Sequence, residues 1–228
     1  MATVQAARAR GIERWAGLGG ILYVALFIGG SVLAFSGSPS ADESPAKYIS
    51  HYGDSGHRDK IALGWLLVLL GVFFFLWFLI ALRQVLKRVD ADGFLTTLAT
   101  VGGAVYATLA LAGFSVWAAI ATMSDDTFHH QVYPGMIHAA NDAGYVIHAS
   151  GGIGAGAMMI AASLAASRTA LIPRWAGIVG IVFGVLAVGS VFFFPQALVA
   201  IWILVAAVLV FRAQKSTAAV PAPPRPVA

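Results

Sequence analysis

The sequence predicts an all-α fold: a polytopic transmembrane bundle of six helices, with both termini cytoplasmic and a short amphipathic helix in the first outer loop. Three observations carry this. The 228 residues are 59% hydrophobic and only 11% charged, where water-soluble domains carry roughly 25% charged residues. Apolar runs of about 20 residues recur, the length that crosses a bilayer core at helical rise. Basic residues crowd alternate connections between those runs.

The spans are expected at 15–35, 61–82, 95–123, 143–166, 176–194 and 197–211. The sixth is short and needs snorkelling of Arg212 or local bilayer thinning. Only Pro195 and Gln196 separate the last two, which predicts a tight antiparallel hairpin. Residues 1–215 thus form a single membrane domain, and 216–228 read as a disordered cytoplasmic tail rich in Pro and Ala.

Orientation follows from charge. Arg8, Arg10, Arg14, Arg83, Lys87, Arg88, Arg168, Arg174, Arg212, Lys215 and Arg225 fall on one side, and Lys47, Arg58 and Lys60 on the other. That asymmetry puts the first set in the cytoplasm. Asp42, Glu43, Asp54, Asp59, Asp125, Asp126 and Asp142 fall outside, and all six histidines lie towards that side. The first run is longer than a signal-peptide core of about 7–15 residues and reads as an uncleaved signal anchor.

Within the first outer loop, Ser44 suits an N-cap and Pro45 the first helical position. Tyr48, Ile49 and Tyr52 then share a face, and Gly53 ends the helix. Such a helix serves as a lid over a site or as an interfacial anchor.

Two patterns bear on packing. Gly152-x-x-x-Gly156 and Gly180-x-x-x-Gly184 let helix backbones approach closely, placing the fourth and fifth spans in the middle of the packing or at a homo-oligomer or membrane-partner contact. Arg14-Trp15-Ala16-Gly17 recurs as Arg174-Trp175-Ala176-Gly177, with Gly20 and Ile21 echoed by Gly180 and Ile181. Parallel repeats occur in transporters; Arg plus Trp is also a good interface anchor used twice.

Composition excludes several chemistries. There is no cysteine, hence no disulfide, thiolate metal site or attached c-type haem. No basic stripe with interleaved aromatics suits nucleic acid. The apolar cores hold no Asp, Glu, Lys or Arg, which argues against an ion-coupled transporter with buried carboxylates and against a voltage sensor.

His148 alone is ionisable and inside an expected span. His138, Asp142, Tyr145 and His148 follow at steps of four, three and three, close to one helix face. Ser31, Ser115 and Ser190 are expected at similar depth. Together they suggest a shallow polar pocket opening outwards, floored by His148. A structural His148 bonded to one hydroxyl or carbonyl accounts for the pattern as well. His138 and Asp142 at i, i+4 could share a divalent metal such as Zn²⁺, Cu²⁺ or Ni²⁺, with His51, His57, His129 and His130 elsewhere on the outer side. Those outer histidines would also suit a pH sensor.

The layout resembles a family of bacterial six-helix integral membrane proteins defined by a domain of unknown function. The resemblance rests on Arg14-Trp15-Ala16-Gly17, on Ser44-Pro45-Ala46-Lys47-Tyr48-Ile49, on the run Phe74 to Arg83, and on Ile172-Pro173-Arg174-Trp175. It implies a cytoplasmic membrane location and carries over no functional residue. The expected function is non-enzymatic binding, as a sensor or accessory protein. A small-solute transporter or channel, and an intramembrane hydrolase using His, Asp and Ser, are the alternatives.

Overall fold

The computed structural model describes residues 15–40, 43–125, 133–168, 171–192 and 194–218, without the side chains of Val191, Phe194 and 215–218. Arg8, Arg10, Arg14, Asp42, Asp126, His129, His130, Arg225 and tail residues 219–228 lie outside the described residues.

The described residues form α-helices and no strand: α1 (Gly19–Phe35), α2 (Pro45–Gly53), α3 (Ser55–Leu86), α4 (Phe94–Met123), α5 (Pro134–Arg168), α6 (Arg174–Ala187) and α7 (Phe194–Ala218), with a 3₁₀ turn at Ser190–Phe192 before α7. Four of them, α3, α4, α5 and α7, are long and apolar enough to cross a membrane. The apolar helices α1 and α6 have 17 and 14 residues, which rise about 26 and 21 Å.

Local chemistry sets several boundaries. Asp54 caps α3, its Oδ1 accepting from the His57 amide at 2.9 Å. Asp90 Oδ2 accepts from the Thr96 amide in the first turn of α4 at 2.7 Å, after Gly93 has turned the chain at φ 72°. Pro195 falls in the first turn of α7, where its missing N–H costs nothing. Pro195 and Gln196 are therefore helical, and the reversal before them is made at Val188–Phe192. Beyond Phe211, Ala213 and Gln214 are good helix formers, so α7 outruns its apolar stretch and reaches Ala218.

Glycine seams join the helices. At α1–α3, a Cβ on Gly30 would stand 2.6 Å from the Gly64 carbonyl. At α4–α5, Gly102 and Gly154 approach in the same way, and Gly113 meets Gly144. At α5–α6, a Cβ on Gly156 would stand 2.6 Å from the Gly184 carbonyl, Gly152 abuts the Ala187 carbonyl and Gly180 abuts the Ser163 hydroxyl. Backbones this close have no room for a side chain, and the contact is made by dispersion and shape.

The helix expected as the fourth span, α5, is central, with most of its apolar stretch buried. The helix expected as the fifth, α6, is peripheral: it buries Gly177, Gly180, Gly184 and Ala187 and leaves Trp175, Ile178, Val182 and Val185 exposed. Its glycines lay one face flat on α5 and leave the other, β-branched face outward. In the core, Tyr23 of α1 donates to the Tyr106 hydroxyl of α4 at 2.8 Å, with Phe75 packed on both rings.

Candidate functional site

His148 is buried on α5. Its Nε2 pairs with Gln196 Oε1 of α7 at 2.9 Å. Phe27 of α1 stacks on the imidazole at 5.8 Å, and Phe114 and Trp117 of α4 close two more sides. The α4 backbone presses against it, because a Cβ on Gly113 would lie 2.7 Å from His148 Cβ. Nδ1 has no hydrogen-bond partner of good geometry; the Ala110 carbonyl faces it imperfectly. The ring is therefore walled by aromatics and held at one nitrogen by an amide, while the other faces the Ala110 carbonyl without a hydrogen bond of good geometry.

The remaining expected site residues divide. Tyr145 is half-buried and packs on the core. His138 is half-buried, its ring 4.3 Å from that of Tyr48. Asp142 is exposed, because the inward line of α5 runs through Ile137, Gly144, His148 and Gly151 and Asp142 stands beside it. Ser115 accepts from Trp65 Nε1 at 3.3 Å and donates to the Leu111 carbonyl at 2.9 Å, so its partners are on α3 and its own helix. Ser31 and Ser190 also donate to carbonyls of their own segments, the usual habit of hydroxyls in apolar helices. Among the described residues no three His, Asp or Glu side chains gather as a metal ion would need.

Above this end of the bundle lies α2. Ser44 takes the N-cap position with an extended backbone, but its hydroxyl makes no capping bond. The buried face is Tyr48, His51 and Tyr52, at i, i+3 and i+4, and Ile49 is turned out. Tyr48 donates to the Ser40 carbonyl at 3.0 Å, and Arg58 of α3 donates to the carbonyls of Tyr52 and Gly53. These bonds fasten the helix to the start of α3 and to the segment after α1, and the Tyr48 ring packs on His138 of α5. Its imidazole cluster is compact: the rings of His51 and His57 stand 4.3 Å apart, and His57 Nδ1 lies 3.1 Å from Asp54 Oδ1. Burial, then the neighbouring His57, lowers the pKa of His51. Burial pushes Tyr52 up to about 12. The His57 backbone amide holds Asp54 below its ordinary value.

The family model for a domain of unknown function, DUF4386, matches residues 18–218. The chain belongs to the DUF4386 family. No curated protein and no solved structure matches it.

The DUF4386 chain also has a feature that no single stretch of sequence announces. A cleft of about 490 Å³ opens where the C-terminal ends of α3, α5 and α7 meet α6. Leu82, Val179, Phe183, Ile201, Val205 and Leu209 are among its walls, and among the described residues Arg212 is the one charged side chain that lines it. Trp202 Nε1 donates to Ser163 Oγ at 3.3 Å in its side. The cleft lies at the end opposite α2, away from His148. Gln196 was equally hidden, since beside Pro195 it reads as a turn residue; its depth, level with His148, was the available signal.

Proposed function

We propose that the chain is a six-span integral membrane protein of the bacterial cytoplasmic membrane, with both termini in the cytoplasm, and that it works by binding and not by catalysis. It is a sensor or accessory protein whose ligand arrives from the outer side. Support for six spans is that α1 and α6 are apolar and packed side by side with the four long helices, α6 being prolonged by the 3₁₀ turn. Support for orientation is the excess of basic residues at the ends carrying Arg83, Arg168, Arg174 and Arg212. The glycine seams are spent within the chain, which favours one bundle over a homo-oligomer through those faces.

The observation that carries the binding reading is the half-satisfied His148. A buried polar atom without a partner costs about 1–3 kcal/mol. That cost is recovered when a small polar molecule or a metal ion replaces the imperfect Ala110 contact at Nδ1. The α2 helix covers this end of the bundle through the Tyr48–His138 contact. Catalysis is disfavoured because the side-chain partner of His148 is an amide, which is neither a nucleophile nor a base.

The test is thermal unfolding of the purified chain and of His148→Ala, with Zn²⁺, Cu²⁺, Ni²⁺ and a panel of small amines, alcohols and amides. A probe at about 100 times its Kd stabilises by about 2.7 kcal/mol. At least one probe is expected to raise the Tm of the wild type and not that of the variant. Equal shifts in both, or none across the panel, contradict the assignment.

A further inference from the structure

The cleft at the basic end asks for an occupant, because an apolar cavity of about 490 Å³ is within the size range of about 300–1,000 Å³ typical of ligand sites. We propose that it is a binding site for one acyl chain of an anionic phospholipid, with the headgroup phosphate held at Arg212. This site is separate from the one at His148 and does not depend on it.

The walls specify the tail. They come from four helices and are almost wholly aliphatic and aromatic, with the Trp202–Ser163 bond satisfying the polar atoms in one side. A water-soluble ligand would find few partners there. An acyl chain needs none.

The rim specifies the head. Arg212 is exposed and lines the cleft. Arg83, Arg168 and Arg174 are exposed at the same ends of α3, α5 and α6. Trp175 lines the cleft and is 68% exposed, as suits a ring at the level of lipid headgroups. Among the described residues no acidic side chain lines the cleft. A guanidinium offers a fork of donors that matches a phosphate, and basic pockets between membrane helices hold anionic headgroups. Charge and shape thus agree on a single class of molecule.

Gly180 lets α6 lie against Ser163 of α5, and the cleft lies between the first half of α6 and the ends of α3, α5 and α7.

The test uses the full-length chain purified in mild detergent. Native mass spectrometry would count retained lipid after exposure to equal phosphatidylglycerol and phosphatidylcholine with the same acyl chains. The wild type is expected to retain one phospholipid and to prefer phosphatidylglycerol by about fivefold or more, the factor that about 1 kcal/mol per basic residue supplies. Arg212→Gln should keep a lipid but lose that preference. Ala176→Phe, which fills the cleft from its wall, should lose the lipid while melting at a temperature near that of the wild type. Lys60→Gln, at the opposite end of α3, should behave as wild type. Retention without headgroup preference, a preference unchanged in Arg212→Gln, or a lipid-free dimer closed through this face would overturn the proposal.

Discussion

At the scale of single residues, burial turns ordinary side chains into conditional ones. His51 lies in the contact face of α2, with His57, Asp54 and Lys60 as its charged neighbours. Its folded pKa is depressed, so it is neutral in the fold and protonation opposes the fold. The sign follows: its stabilisation is full above the unfolded value of about 6.5 and is lost as pH falls through the lower folded value. Asp54 has a depressed value too, so its contribution also disappears as pH falls, but only in the carboxylate range. The α2 amides are therefore expected to lose protection against deuterium exchange, measured relative to the intrinsic rate at each pH, on acidification from pH 7 to pH 5, and His51→Phe should flatten that response. Pressed deeper is the Tyr23–Tyr106 pair. Tyr23→Phe should cost about 1 kcal/mol in reversible unfolding, and Tyr23→Phe with Tyr106→Phe should cost less than the sum of the two single changes.

At the scale of elements, glycine decides what can touch. A side chain at Gly102 would run into the backbone of α5 at Gly154. Gly102→Leu should therefore destabilise by about 3 kcal/mol or more, at the upper end of overpacking costs. Gly29→Ala, with nothing within 4 Å, should be near neutral. The comparison is readable by thermal unfolding in detergent. These seams also explain what the sequence made legible. Apolar runs and Gly-x-x-x-Gly spacing announce helices and flat faces, but not which faces meet. Gly180 and Gly184 are at a helix contact, yet their helix is peripheral because one glycine face binds it to one neighbour. In α2, the buried positions were legible to within a residue: Tyr48 and Tyr52 face inwards, but His51 takes the place expected of Ile49. There the His51 ring meets Tyr52 edge-on and lies tilted against His57. The His148 partner was not legible, because it comes from residue 196 across the bundle. The basic cleft was not legible for the same reason, being assembled from four helices.

At the scale of the whole molecule, the roles of both ends depend on how the chain threads the membrane. The His148 site needs α2 to lie outside, and the choice of both lipid and ligand follows from which end faces which compartment. Four helices are long and apolar enough to cross; the reading of six depends on α1 and α6. Because the chain has no cysteine, single cysteines report without background. The direct measurement is labelling of intact cells with a membrane-impermeant maleimide at Ser50→Cys, Ser124→Cys and Gly189→Cys, and at Ala2→Cys, Ala91→Cys, Leu171→Cys and Lys215→Cys. The account expects the first three to react from outside and the last four only after the membrane is opened. Labelling of Ala2→Cys or Leu171→Cys in intact cells, or protection of Ser50→Cys or Gly189→Cys, would contradict it.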